Sequence, residues 1–124
     1  EKTMSLELSK PIAATTETFE QEVIHSDLPV VIDFWAPWCA PCRAVGPVLD
    51  DLATKWAGKV KVVKVNIDDE PSIAQAFQVR SIPTLIAMKG KEVIDLQVGA
   101  GSKTKLEKLF SKLDSEKVTQ TISA

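Results

Sequence analysis

Cys39 and Cys42 stand three positions apart in the segment Trp38-Cys39-Ala40-Pro41-Cys42. Thiols at this spacing can cycle between dithiol and disulfide, help to bind a metal, carry a covalent haem, or sit inert in a core. Structural zinc takes four ligands, and beyond the pair this chain offers only one histidine, His25, on a different expected element. Covalent haem attachment needs histidine directly after the second cysteine, where this chain has Arg43. The proline between the cysteines, the tryptophan before them and the strand-to-helix junction around them favour redox cycling over two inert thiols. A thiolate at a helix start is stabilised by the positive end of the backbone dipole and by unpaired N–H groups, which lower its pKa. Cys39 occupies such a start. Cys42, one turn on, lies on the same face within disulfide reach. No metal and no cofactor is expected on the chain.

The apolar pattern defines the elements that must hold this pair. Val30-Val31-Ile32-Asp33-Phe34-Trp35 is a β-branched run that reads as a central strand covered on both faces. Beyond the Pro37 to Pro41 interruption, Val45, Val48, Leu49, Leu52, Ala53 and Trp56 recur at helical spacing, with Gly58 placed to end the helix and Pro47 expected to kink it. Val60 to Ile67 is the next strand, and the strand-helix-strand unit implies a right-handed parallel crossover. Glu70 to Phe77 reads as a short helix opened by Pro71. Ile82 to Met88 and Glu92 to Val98 read as an antiparallel hairpin across Lys89-Gly90-Lys91. Upstream, Leu6 to Ala13 is a weak strand candidate. Thr15-Thr16 followed by Glu17, Phe19, Val23 and Ile24 reads as a capped amphipathic helix. Leu106, Leu109, Phe110 and Leu113 mark a final helix, and Ser115 to Ala124, polar and aperiodic, is expected as a frayed tail. The fold class is α/β, a mixed central β-sheet with helices on both faces, with one domain over residues 1–114 and a flexible tail over 115–124.

Composition narrows the partners. Of 124 residues, 44% are apolar, enough for one continuous core. A net charge of -2 leaves no basic field for nucleic acid or an anionic membrane. The apolar runs fall well short of the ~20 residues of a membrane span, so a soluble protein is expected. No charged-then-apolar secretory signal stands at the N-terminus; Met4 is a candidate start, and a processed or trimmed start stays open. Two cysteines closing so small a loop stabilise little and suit a reducing compartment.

Several other residues have two readings by pattern alone. Asp33 interrupts an apolar strand, so its carboxylate is neutral, paired or functional there, or the position is an exposed edge. Lys64 alternates with valines as a solvated strand residue would. Pro83 cannot donate to a strand ladder and could simply start one. Trp35 and Trp38 could be core or rim aromatics, His25 a surface residue at a helix end, and Trp56 core.

The segments Asp33-Phe34-Trp35-Ala36, Trp38-Cys39-Ala40-Pro41-Cys42-Arg43, Val65-Asn66-Ile67-Asp68, Arg80-Ser81-Ile82-Pro83-Thr84 and Val98-Gly99, with Pro47, resemble the landmarks of the thioredoxin family, in order and separation, over about residues 19–113. The resemblance implies the thioredoxin fold and a protein-disulfide reductase, with Cys39 as nucleophile and Cys42 as resolving cysteine. It implies that Asp33 is buried behind Cys42 with a raised pKa and accepts its proton, with Lys64 nearby. It implies a cis bond before Pro83 and a shallow contact patch of Trp38, Ala40, Pro41, Ile82, Pro83, Gly99 and Ala100, with Trp35 helping to shape the surface. The partners implied are disulfide-containing client proteins and a thioredoxin reductase, flavin-dependent or ferredoxin-dependent. A monomer is expected, because no exposed heptad is left over. The expected compartment is the cytoplasm, or the chloroplast stroma or mitochondrial matrix if a targeting segment was removed. Two departures stand out. Ala40 replaces the family's usual glycine, and alanine favours helix by roughly 0.8–1 kcal/mol, so the first turn is expected to be stiffer. Gly90-Lys91 stands where asparagine-glycine is common. Within the same chemistry the alternative is an oxidant or isomerase; outside it, a binding module in which the cysteines are dispensable.

Overall fold

A computed structural model describes the backbone of residues 10–123 and the side chains of residues 10–114. In chain order the elements are β1 (Ile12–Ala13), α1 (Glu20–Ile24), β2 (Val30–Trp35), α2 (Ala40–Lys55), β3 (Lys61–Asn66), α3 (Pro71–Ala76), β4 (Thr84–Lys89), β5 (Glu92–Val98) and α4 (Lys103–Ser123). The strands form one five-stranded sheet in the order β1-β3-β2-β4-β5. β3 runs parallel to both β1 and β2, and β4 runs antiparallel to both β2 and β5. The sheet is therefore mixed, with β2 at its centre.

Successive strand residues point to opposite faces, and both faces are covered. Val31, Val62, Leu85 and Ala87 pack on one side against Leu49 and Leu52 of α2 and Leu106, Phe110 and Leu113 of α4. Val30, Ile32, Phe34, Val63, Val65 and Ile86 pack on the other against Val23 of α1 and Ile73 of α3. This double coverage explains why β2 is apolar on both faces at every position but Asp33. Trp56 stacks on Phe110 with ring centroids 6.1 Å apart, closing the first of these cores.

Turn chemistry sets the element ends. The Thr15 and Thr18 side chains exchange hydrogen bonds with each other's backbone N–H at 3.2 and 2.9 Å, a reciprocal cap for the turns leading into α1. α1 itself is wound wider than an α-helix, and the His25 N–H donates to the Glu20 carbonyl five residues back. Gly58 leaves α2 with φ +81°, and Gly90 turns the β4-β5 hairpin with φ +62°, both in the left-handed region that glycine enters without a Cβ penalty.

The bounds of β1, β4 and α4 differ from the sequence reading. β1 is limited to Ile12–Ala13, the part of the expected strand over residues 6–9 lying outside the described residues. β4 begins at Thr84 rather than Ile82, since Pro83 has no N–H to give to a ladder. Pro47 lies inside α2, as its place among the helically spaced apolar residues predicts. α4 is bounded at Ser123, beyond Ser115, and no glycine or proline occurs after Gly101 to stop it. β5 is an edge strand that leaves Val93, Leu96 and Val98 exposed. A bulge at Ile94, between the pairs Ala87–Asp95 and Met88–Val93, interrupts its ladder. Among the described residues no helix is long and apolar enough to cross a membrane.

Phe110 is fully buried between the sheet and Trp56. Phe110→Ala is expected to lower unfolding free energy by about 3–5 kcal/mol, measured by urea denaturation.

Candidate active site

The site forms where β2 hands over to α2. Cys39 is the N-cap residue of α2, in extended conformation at φ -93° and ψ 108°, and its sulfur accepts a hydrogen bond from the Cys42 N–H at 3.2 Å. One otherwise unpaired N–H of the first helical turn is thus directed at the sulfur, and the helix dipole adds to the same effect. Cys39 and Cys42 are joined in a disulfide, with Cα atoms 5.2 Å apart. The loop carrying them is pinned at both ends. The Cys39 N–H donates to the Ala36 carbonyl at 3.1 Å, and Arg43 Nη1 reaches back to the Pro37 carbonyl at 2.9 Å. Pro41 falls in the first turn of α2, where its missing N–H costs nothing.

The expected contact residues converge on this loop. The Ile82–Pro83 peptide bond is cis, and the Ile82 carbonyl oxygen lies 3.8 Å from the Cys39 sulfur. Gly99 donates its N–H to the Pro83 carbonyl at 2.8 Å, which brings the loop after β5 to the same edge. Trp38 is 65% exposed beside the disulfide, Ala40 and Pro41 are exposed, and Ile82, Gly99 and Ala100 are half-buried. Pro83 itself is buried. Trp35 is half-buried, packs with Cys39 and Cys42, and has the Lys64 ammonium 4.5 Å over its ring. His25 lies apart from this edge, exposed and 3.2 Å from Glu20.

Asp33 belongs to the interior. It is 1% exposed, and neither carboxyl oxygen has a hydrogen-bond partner among the described residues. Two residues from Val31, it shares the face of β2 that α2 covers. Because α2 runs back along β2, Asp33 lies one step nearer the cysteines than Val31 does. Its cross-strand neighbour on β3 is Lys64. Burial pushes the carboxyl up from 3.8 to about 6, against the opposing pull of the Lys64 charge.

Sequence reasoning missed three supporting groups. The Trp38 indole N–H donates to Asp68 at 2.9 Å, and the Asp68 N–H is in turn held by the Asn66 side chain at 2.9 Å. The four-residue run Val65 to Asp68 carried that signal, without indicating what its polar members hold. Gln97, buried within β5, carried none. Among the described residues no group of three or more His, Cys, Asp or Glu side chains stands together as a metal site.

The folded chain holds the Asp33 proton more tightly than the unfolded chain does, so stability falls as pH rises from about 4 through about 6. The shift from 3.8 to about 6 corresponds to a penalty of about 3 kcal/mol once the carboxylate is ionised. Relative to the parent, oxidised Asp33→Asn is therefore expected to gain up to this amount between pH 4 and pH 8, measured by denaturant unfolding at both.

The thioredoxin family model matches residues 10–112 of the chain. Thioredoxin 1 of Nostoc sp. is 50% identical over 105 residues, covering 85% of this chain and 98% of the relative. The thioredoxins of Porphyra purpurea and Haemophilus influenzae are 51% and 50% identical over 98 and 99 residues, covering 79% and 80% of this chain and 92% of each relative. Both the match across the sheet and helices and the disulfide at the head of α2 lead to one assignment: the chain belongs to the thioredoxin family.

Proposed function

We propose that Cys39 is the attacking thiolate, Cys42 the resolving thiol and Asp33 the proton acceptor for Cys42 in the reduction of disulfides in partner proteins. Family membership carries the reaction class, dithiol-disulfide exchange. The assignment of the attacking group is carried by one observation: the Cys39 sulfur caps α2 and takes the Cys42 N–H.

In the reduced chain, the Cys39 thiolate attacks one sulfur of a client disulfide, forming a Cys39-client mixed disulfide and expelling the other client sulfur as a thiolate. Cys42 gives its proton to the Asp33 carboxylate, and its thiolate attacks the Cys39 sulfur. The Cys39–Cys42 disulfide forms, the client leaves with two thiols after protonation, and two electrons have passed from chain to client. A carboxyl titrating at about 6 is ionised at neutral pH yet closer in proton affinity to a thiol than an ordinary aspartate is. The Lys64 charge alongside favours the ionised form. The shallow surface of Trp38, Ala40, Pro41, Ile82, Gly99 and Ala100 suits an extended client segment better than a small molecule.

Reversal of the cycle requires a reductase that supplies two electrons to the disulfide, and we assign this to a flavin-dependent or ferredoxin-dependent thioredoxin reductase. A chain that works only when reduced suits a reducing compartment, the cytoplasm, and action as a monomer.

Cys39→Ser is expected to reduce insulin-disulfide reduction to the uncatalysed background, whereas Cys42→Ser should accumulate the client mixed disulfide, read on non-reducing gels. If the double serine variant keeps full biological activity, the chain acts as a binding module instead. A reduction potential near roughly -270 mV in thiol redox buffers is expected for a reductant; a value of roughly -180 to -120 mV would make it an isomerase or oxidant.

A further inference from the structure

The loop after β5 is tethered by a side chain outside the cysteine chemistry. Gln97 is 7% exposed, between the exposed Leu96 and Val98. Its amide nitrogen donates to the carbonyl oxygens of Ala100 at 3.2 Å and Gly99 at 3.4 Å. The Gly99 N–H donates to the Pro83 carbonyl, and the preceding carbonyl, that of Ile82, faces the Cys39 sulfur. A continuous series of contacts therefore runs from Gln97 to the reacting atom. Gly101 makes room for it: its φ is +66°, and a Cβ there would collide with the Gln97 amide nitrogen. With glycine at positions 99 and 101, both at positive φ, the backbone of this loop has little stiffness of its own. The amide supplies the restraint.

We propose that Gln97 is a positioning residue for client recognition, holding Gly99 and Ala100 in the conformation that meets an incoming protein disulfide. The proposal rests on the dithiol-exchange reading of the site. Restraint of a binding loop before the encounter lowers the entropy cost of ordering it in the complex. A disulfide too small to touch the loop gains nothing from that restraint, so Gln97 separates protein substrates from small ones.

Gln97→Met keeps the length of the side chain and removes the donor, whereas Gln97→Lys keeps a donor. With insulin as substrate and dithiothreitol as electron source, Gln97→Met is expected to raise KM by about threefold to tenfold, the value of one or two neutral hydrogen bonds, with kcat little changed. The rate constant of its reduced form with cystine and its reduction potential should equal those of the parent. Gln97→Lys should return KM most of the way, and Gly101→Ala, which displaces the amide by another route, should raise it as Gln97→Met does. An unchanged KM in Gln97→Met, or equal losses with insulin and cystine, overturns the proposal. Failure of the parent chain to reduce either disulfide would instead remove the exchange reading beneath it.

Discussion

The N–H of Cys42 points at the sulfur of Cys39, a helix cap made at the place where a strand hands over to a helix. β2 is paired along both edges and covered on both faces, so its end is as fixed in space as any point in the molecule. α2 starts after four intervening residues and is held to the same sheet by Val45, Leu49 and Leu52. The short loop between them has little freedom left, and its hydrogen bonds to Ala36 and Pro37 remove most of the rest. The buried disulfide can then be held at the head of α2 without the local chain having to be rigid on its own account.

The same arrangement makes Asp33 tolerable. An unpaired carboxyl in the interior works against folding, and its penalty grows as it ionises. The two cores that clamp β2 supply enough apolar burial to hold the residue in place despite that cost. Its raised proton affinity follows from the very packing that fixes the cysteines, so geometry and proton chemistry at this edge share one physical origin.

Much of this was legible in the residues. The β-branched run through Phe34 required a strand buried on both sides, the three-and-four spacing from Val45 to Trp56 required a helix with one sheet-facing side, and the cysteine spacing put both sulfurs on one face of its first turn. Boundaries were less legible, because they depend on partners. Ile82 and Pro83 match a strand in composition but fall outside the ladder, and Ser115 to Ser123 lack apolar periodicity yet continue a helix begun by residues that pack. Polar residues were least legible of all. Asp68 and Gln97 are ordinary in type and position: Asp68 becomes informative only when Trp38 is brought to it from elsewhere in the chain, and Gln97 only when the turn after β5 folds the carbonyls of Gly99 and Ala100 back onto its amide.

By itself, then, the sequence determined what local periodicity and short spacing can determine: the alternation of strands and helices, the cysteine pair at a helix start, and the presence of a carboxylate in an apolar strand. The tertiary structure decided whether that carboxylate was buried or on an edge, which loops met the disulfide, and which polar side chains held them. Apart from the short reach of Gln97 to Gly99 and Ala100, those outcomes depend on contacts between residues tens of positions apart, such as Trp38 with Asp68 and Cys39 with Ile82. Periodicity carries no information about such pairs, because it reports which way a side chain faces and not what it faces.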